Sequence, residues 1–173
     1  MINLLHKYCK KNKNVFIRPL DKNDIESLRK WRNDKTNTIF LSSIPYITKE
    51  MQNNWYENYL HREDELIFAI EEMKLFNRIV GSLSLYNIEN GKCTFGKLLI
   101  GDKATRKHGI GKLAMEAAID VAINQLKVTI ITLDVYKEND IAFNLYKNMG
   151  FSVINEHEDK FGRKEYTMEY RKN

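Results

Sequence analysis

The sequence predicts a mixed α/β sandwich of the α+β class, with one mixed sheet of seven strands and about four helices on its faces. Three observations carry this. Seven stretches are rich in β-branched and aromatic residues, and four others place apolar residues at helical spacing. The two kinds interleave in the order β-α-α-β-β-β-α-β-α-β-β, which a sheet covered on both sides accommodates.

Taken in order, "VFIRPL" reads as a strand stopped by Pro19. Asp21 is placed to cap a helix running through Asn33, with Ile25, Leu28 and Trp31 on its buried side. Residues 34–47 form a loop with several apolar groups. Thr48 opens a second helix with Met51, Trp55 and Tyr59 at helical spacing. "ELIFAIEE" and "RIVGSLSLYNI" read as paired strands, "ENG" as a tight turn, and "KCTFGKLLI" as the returning strand. Gly96 within it marks a bulge, a close backbone approach or a packing gap. A helix follows over "GKLAMEAAIDVAINQL". "VTIITLDV" has little polar alternation and reads as a strand buried on both faces. "NDIAFNLYKNMGF" is a helix capped by Asn139 and ended at Gly150. "FSVINEHE" and "KEYTMEY" close the chain as two antiparallel strands around Gly162.

The 173 residues suit one domain over 15–173, preceded by a basic arm over 1–14. Hydrophobic content of 43% and charged content of 29% are those of a globular chain, too apolar for disorder. The net charge of +5 is spread through the chain with acids among the lysines, so it aids solubility and gives no nucleic-acid or membrane signal. Cys9 and Cys93 form no disulfide framework or metal spacing, which fits a reduced cytoplasmic setting. His6, His61, His108 and His157 form no metal-ligand cluster in the sequence, and no metal site is expected. The start of the chain lacks the apolar run and cleavage site of a secretory leader.

The most informative stretch is "TRKHGIGKLA". Arg106, Lys107 and His108 run into Gly109 and Gly111 at the start of a helix. A helix start carries unpaired N–H groups and about half a positive charge, and glycines there let a phosphate come close. Gly109, Gly111 and Ala114 also spell the dinucleotide fingerprint, with Asp134 about twenty residues on. That fingerprint needs a strand running straight into its first glycine, and "GDKATRKH" is too long and polar for it.

The same stretch resembles the acyl-CoA loop of the GNAT family of N-acetyltransferases, [Q/R]-x-x-G-x-[G/A], through Arg106, Gly109 and Gly111. "NDIAFNLYKNMGF" resembles the family's second signature through Asn139, Ala142, Leu145, Tyr146, Gly150 and Phe151. The resemblance covers residues 15–170. It implies a mostly antiparallel sheet splayed between its fourth and fifth strands, here "KCTFGKLLI" and "VTIITLDV". It implies acetyl-CoA as donor and a primary amine as acceptor, by direct attack in a ternary complex.

In the residues of this chain, the resemblance assigns the diphosphate to Arg106, Lys107, His108, Gly109, Ile110, Gly111 and Lys112, chiefly through backbone N–H groups. Leu98, Leu99 and Ile100 would pair with the pantetheine arm, Leu99 N–H would polarise the thioester carbonyl, and Asn139 would touch the arm. Tyr146 would protonate the leaving sulfur. Many relatives carry a basic Glu before "FG", where this chain has Thr94. Three alternatives stay open: Glu71 from a neighbouring strand, a water ordered by Thr94, or an amine already partly neutral. Trp31, Arg32, Asn33, Phe40, Tyr46 and Trp55 are the expected acceptor contacts, with Arg32 suited to a phosphate.

Within the family, "IRPL…LRKWRND" and "ITKEMQNNWYE" resemble the bacterial branch of ribosomal-protein N-terminal and nucleotide-amino-sugar acetyltransferases, and Trp31, Arg32, Asn33 and Trp55 point to its sugar side. The expected acceptor is first a nucleotide-linked amino sugar, then a protein N-terminus, then a polyamine or other small amine. A homodimer is allowed by analogy. A non-catalytic acyl-CoA-binding protein of the same fold is the alternative, kept open by Thr94.

Overall fold

The structure, a computed structural model, describes residues 7–40 and 45–172. Eight strands form one sheet in the order β1-β2-β3-β4-β5-β6-β8-β7. They are β1 (Lys10–Asn12), β2 (Val15–Pro19), β3 (Glu65–Glu72), β4 (Arg78–Glu89), β5 (Lys92–Ile100), β6 (Ile130–Tyr136), β7 (Ser152–Glu158) and β8 (Lys164–Arg171). The helices are α1 (Ile25–Asn33), α2 (Lys49–Tyr59), α3 (Ile110–Asp120) and α4 (Asp140–Asn148). Every neighbouring pair is antiparallel except β5–β6, so the sheet is mixed and mostly antiparallel, as expected.

The strand count is eight instead of seven. Lys10–Asn12, expected in the basic arm, pairs with β2 across a turn in which Lys13 has φ 55. "KKN" has no hydrophobic alternation, so nothing in its pattern marks a strand. Asn12 fastens it by donating to the Leu113 carbonyl (3.1 Å) and Glu116 (2.9 Å) on α3. Lysines along an exposed edge also discourage pairing with other chains. The apolar start over 1–6 and the loop centre over 41–44 lie outside the described residues.

α1 begins at Ile25, later than a cap at Asp21 requires. Asp21 instead accepts from the Asn23 N–H (2.6 Å), closing a turn ahead of the helix. Asp24 is buried and takes both prongs of Arg18, at 2.6 and 2.9 Å. α2 starts at the expected cap: Thr48 Oγ1 accepts from the Met51 N–H at 3.1 Å. Its inner face is Gln52, Tyr56 and Tyr59, and Met51 points outward. Asn90 (φ 49) and Gly91 (φ 72) make the tight β4–β5 turn in the doubly left-handed form that matches strand twist.

The two faces carry separate cores. Leu20, Ile25, Leu28, Tyr56, Tyr59, Ile67 and Ala69 bury α1 and α2 on one face. Phe68, Ile70, Leu83, Phe95, Met115 and Ile131 belong to the larger core under α3 and α4. The hydroxyl of buried Tyr59 accepts from the Ile67 N–H at 2.8 Å, joining α2 to β3. Glu72 is buried at the end of β3 and accepts from Lys74, Leu75 and Phe76 N–H groups and from Asn14. Burial opposes its charge, yet those bonds together hold its pKa down at about 2.

Candidate active site

β5 and β6 pair in parallel only at Lys92↔Ile130, Cys93↔Ile131 and Thr94↔Thr132. Beyond Thr94 the strands part, while β5 keeps β4 and β6 keeps β8. The opening exposes a strand edge from Phe95 to Ile100 inside the domain, which an extended ligand can pair with. Thr94 itself meets the Thr132 hydroxyl at 3.2 Å, just below the opening.

A bulge on β5 sits at this point. Ser84 faces Gly96 and Ser82 faces Leu99, so two residues of β5 oppose one of β4. Lys97 (φ 54) takes the left-handed conformation, not Gly96. Gly96 serves a second need: a Cβ there would lie 3.0 Å from the Tyr86 ring and hydroxyl. The Tyr86 ring therefore fills the space above Gly96, and burial foremost pushes its phenol up to about 12.

Two joined clefts of about 560 and 490 Å³ follow the opening and share Phe40, Gly96, Leu99, Asp134 and Glu165. The second holds Leu98, Leu99, Ile100, Arg106, Asn139 and Tyr146, bringing six expected donor-site residues together. Asn139 caps α4 by accepting from the Ala142 N–H (3.2 Å), which sets Tyr146 two turns on against the cleft. The Tyr146 ring packs edge-on to Phe95 (6.3 Å between centroids) and tilted on Phe151. Its hydroxyl has no hydrogen-bond partner among the described residues. Burial pushes its pKa up to about 12, so it is a neutral proton donor at physiological pH.

α3 starts beside Ile100. Gly109 (φ 70) precedes it and offers no side-chain cap, so the first N–H groups have no partner from it. A Cβ on Gly109 would meet nothing within 4 Å, and one on Gly111 nothing nearer than 3.9 Å. The ground above this helix start is open for a diphosphate, and Lys107 and His108 flank it, exposed. Ile110 is buried beneath it, and Lys112 reaches Glu116 at 4.0 Å. Arg106 is exposed and folds back over the loop: it donates to the Ile100 carbonyl at 3.2 and 3.1 Å and to Asn37. These features fit acetyl-CoA: a free strand edge, a bare helix start with room for phosphates, and an unpartnered phenol.

The acceptor side departs more from expectation. Arg32, Phe40 and Trp55 line the first cleft, with Trp55 stacked on Tyr59 at 5.9 Å. Trp31, Asn33 and Tyr46 do not. The Trp31 ring covers Gly101, where a Cβ would stand 2.2 Å from it. Asn33 clamps the loop by exchanging two 2.8 Å hydrogen bonds with the Ile47 backbone. Tyr46 is 70% exposed and accepts from Arg29 at 3.4 Å. Glu71 is also outside the clefts, held by Arg18 Nε at 2.8 Å, which removes it as the amine's base.

The sequence reading missed Tyr86, Lys97, Tyr136, Asp159, Phe161 and Glu165 in the clefts, and gave Asp134 no role in acetyl transfer. Lys97 is ion-paired to buried Glu65, which also binds Arg62 at 2.8 Å. Asp159 is occupied: it accepts from Phe161 N–H (2.8 Å), Arg163 N–H (2.9 Å) and the Tyr136 hydroxyl (2.9 Å). Arg32 has no hydrogen-bond or ion-pair partner among the described residues. Burial lowers its pKa, with Glu65 partly offsetting. Among the described residues, no group of three or more His, Cys, Asp or Glu is placed to hold a metal, and no helix is long and apolar enough to cross a membrane.

Comparison with known proteins agrees with this geometry. The chain is 29% identical over 144 residues to acetyltransferase PseH of Campylobacter jejuni, covering 81% of this chain and 84% of that one. It is 24% identical over 142 residues to spermidine N(1)-acetyltransferase of Escherichia coli, covering 82% and 75%. Its fold overlays that of spermidine N-acetyltransferase from Vibrio cholerae, solved with CoA and spermine, with a TM-score of 0.84 at 20% identity, over 92% and 96% of the chains. A domain from Methanocaldococcus jannaschii overlays with a TM-score of 0.76 at 20% identity, over 93% and 99%. The model of the acetyltransferase (GNAT) family matches residues 25–151, and the chain belongs to that family as an acetyl-CoA-dependent N-acetyltransferase.

Proposed function

We propose that the acceptor is a primary amine on a small anionic molecule, of the nucleotide-linked amino-sugar class. The observation that carries this is Arg32, a cation lining the acceptor cleft with no partner of its own. Partial burial strips some water from this guanidinium, and a phosphate replaces that water with paired hydrogen bonds. Trp55, Phe40 and Phe161 supply flat apolar surface for a sugar or base.

Acetyl-CoA supplies the activated acetyl group. In this reading the α3 start binds its diphosphate, with Arg106 bracing the loop through Ile100 and Asn37. The Leu98–Ile100 edge holds the extended arm, and Leu99 N–H donates to the carbonyl oxygen as it gains charge. Tyr146 gives its proton to the departing sulfur. Pairing into a homodimer is supported by edge strand β7, where Val153 and Ile154 are exposed.

A polyamine acceptor is the second reading, favoured by the Asp134 and Glu165 carboxylates in the same cleft. A second ammonium would then face Arg32, which counts against it. Thiol release from acetyl-CoA, measured with a UDP-linked amino sugar, spermidine and an N-terminal peptide, decides. The expected result is the highest kcat/KM with the nucleotide sugar. Turnover of spermidine alone overturns the anionic acceptor.

A further inference from the structure

The position that holds a basic Glu in many relatives is Thr94, and Glu71 is tied to Arg18 away from the clefts. The register of the sheet puts another carboxylate nearby. Thr94 pairs with Thr132, so Asp134, two residues on, faces the same side one step nearer the opening. Across β6 and β8, Asp134 pairs with Thr167 and Tyr136 with Glu165; across β7 and β8, His157 pairs with Glu165. Residues directly opposite share a face. Asp134, Thr167, Glu165 and His157 therefore form one patch, whose Asp134 and Glu165 line both clefts.

The patch is linked. Thr167 Oγ1 donates to Asp134 at 2.6 Å. A hydroxyl has one proton, so the 3.4 Å contact between Thr167 Oγ1 and His157 Nδ1 has the ring N–H as donor. That tautomer leaves His157 Nε2 bare toward Glu165 Oε2, 3.2 Å away. Two bare acceptors at that distance share a proton when one arrives. The His157 side chain is 35% exposed and that of Glu165 15%, so the imidazole is the outer member. Among the described residues neither Asp134 nor Glu165 has a Lys or Arg partner.

We infer that Glu165 takes the proton from the acceptor ammonium and passes it through His157 to solvent, while Asp134 holds the ammonium in place. The ammonium N–H bond breaks, its electron pair stays on nitrogen for the attack, and Glu165 becomes the neutral acid. Glu165 then protonates His157 Nε2, and the imidazolium releases a proton to water. Transfer to an amide removes two protons from nitrogen: one leaves by this route, and the other balances the proton that Tyr146 gives to sulfur. The route needs N-acetyl transfer but not an anionic acceptor.

The groups facing Glu165 are consistent with a base of raised affinity. They are Asp134 and Tyr136 on β6, His157 on β7, and Asp159, Lys160 and Arg163 on the turn before β8. Tyr86 and Lys97 on β4 and β5, and Arg32 on α1, complete the surroundings. Burial first, then the Asp134 charge, raises its pKa.

The test is Glu165→Gln and His157→Gln in the full chain. Thiol release is followed from about pH 6 to about pH 9, a range that climbs toward the pKa of about 10 of an alkyl ammonium. The acetyl acceptor is whichever amine of the panel above the wild type uses fastest. The expected loss in kcat for Glu165→Gln is about 100-fold near neutrality. It shrinks as pH rises toward the amine's own pKa, because free amine then needs no base. His157→Gln shows a smaller loss with the same pH trend, and CoA affinity is unchanged in both. A Glu165→Gln kcat within about twofold of wild type, or a loss of one constant factor at every pH, overturns the route. If Glu165→Gln does not fold, Thr167→Val removes the partner that fixes the His157 tautomer and leaves Glu165 in place. The expected result is then the smaller, His157→Gln-like loss with the same pH trend, and a kcat equal to wild type at every pH overturns the relay. A wild type that turns over no amine overturns acetyl transfer itself, a failure separate from this one.

Discussion

Replacing Arg32 by Met separates stability from binding in a way few substitutions do. In the free protein this guanidinium is partly buried in the first cleft and has no partner among the described residues. A fully buried unsatisfied polar group costs about 1–3 kcal/mol; Arg32 is half-buried and keeps some contact with solvent, so it carries only part of that, and Met keeps a similar length without it. The free variant is therefore expected to be at least as stable as wild type, by up to about 1 kcal/mol. For a domain of this size that is a rise of at most about 2–4 °C in Tm. With an anionic acceptor bound, the same change removes a charge-assisted pair, a loss of about 2–5 kcal/mol when one partner is truncated. The KM for a nucleotide-linked amine should rise by about 30-fold or more, with CoA affinity unchanged. The assays are a thermal melt of the free protein and steady-state thiol release. A Tm that falls by several degrees would show that Arg32 is already satisfied in the free protein. An unchanged KM would remove Arg32 from the acceptor site.

Tyr146→Phe keeps the ring contacts with Phe95 and Phe151 and removes only the hydroxyl with its proton. Single-turnover kinetics should show chemistry slower by about 100-fold or more with CoA affinity intact, and an unaltered rate excludes the acid role. At Gly111 a Cβ would meet no protein atom nearer than 3.9 Å, so a side chain has room to start there and Gly111→Val should fold normally. Calorimetry should nevertheless show CoA affinity weaker by about tenfold or more, because the branch fills the space over the bare helix start. Glu72, with its pKa pulled down to about 2, stabilises the fold fully above the ordinary carboxylate range and loses that contribution as pH falls toward 2. Urea midpoints should therefore decline in acid for wild type, while Glu72→Gln starts lower by about 1–3 kcal/mol and varies less.

The sequence alone determined the element order, the bare glycine-rich helix start and the placement of Tyr146 on a helix capped by Asn139, because each is written in local spacing: period two, period 3.6, a cap, a turn glycine. β1 escaped it because Lys10–Asn12 has no apolar face, and α1 begins late because Arg18 draws Asp24 into a buried pair. The acceptor side was decided by tertiary structure. Trp31 looked like a binding aromatic until the close approach of Gly101 claimed it, and Asn33 until the Ile47 backbone did. Asp134 was noticed only as the acid about twenty residues past the glycines, because its neighbours Thr167, Glu165 and His157 lie far along the chain and meet it only through antiparallel register. Register is fixed by how whole strands bury their apolar faces, so no short window of sequence contains it.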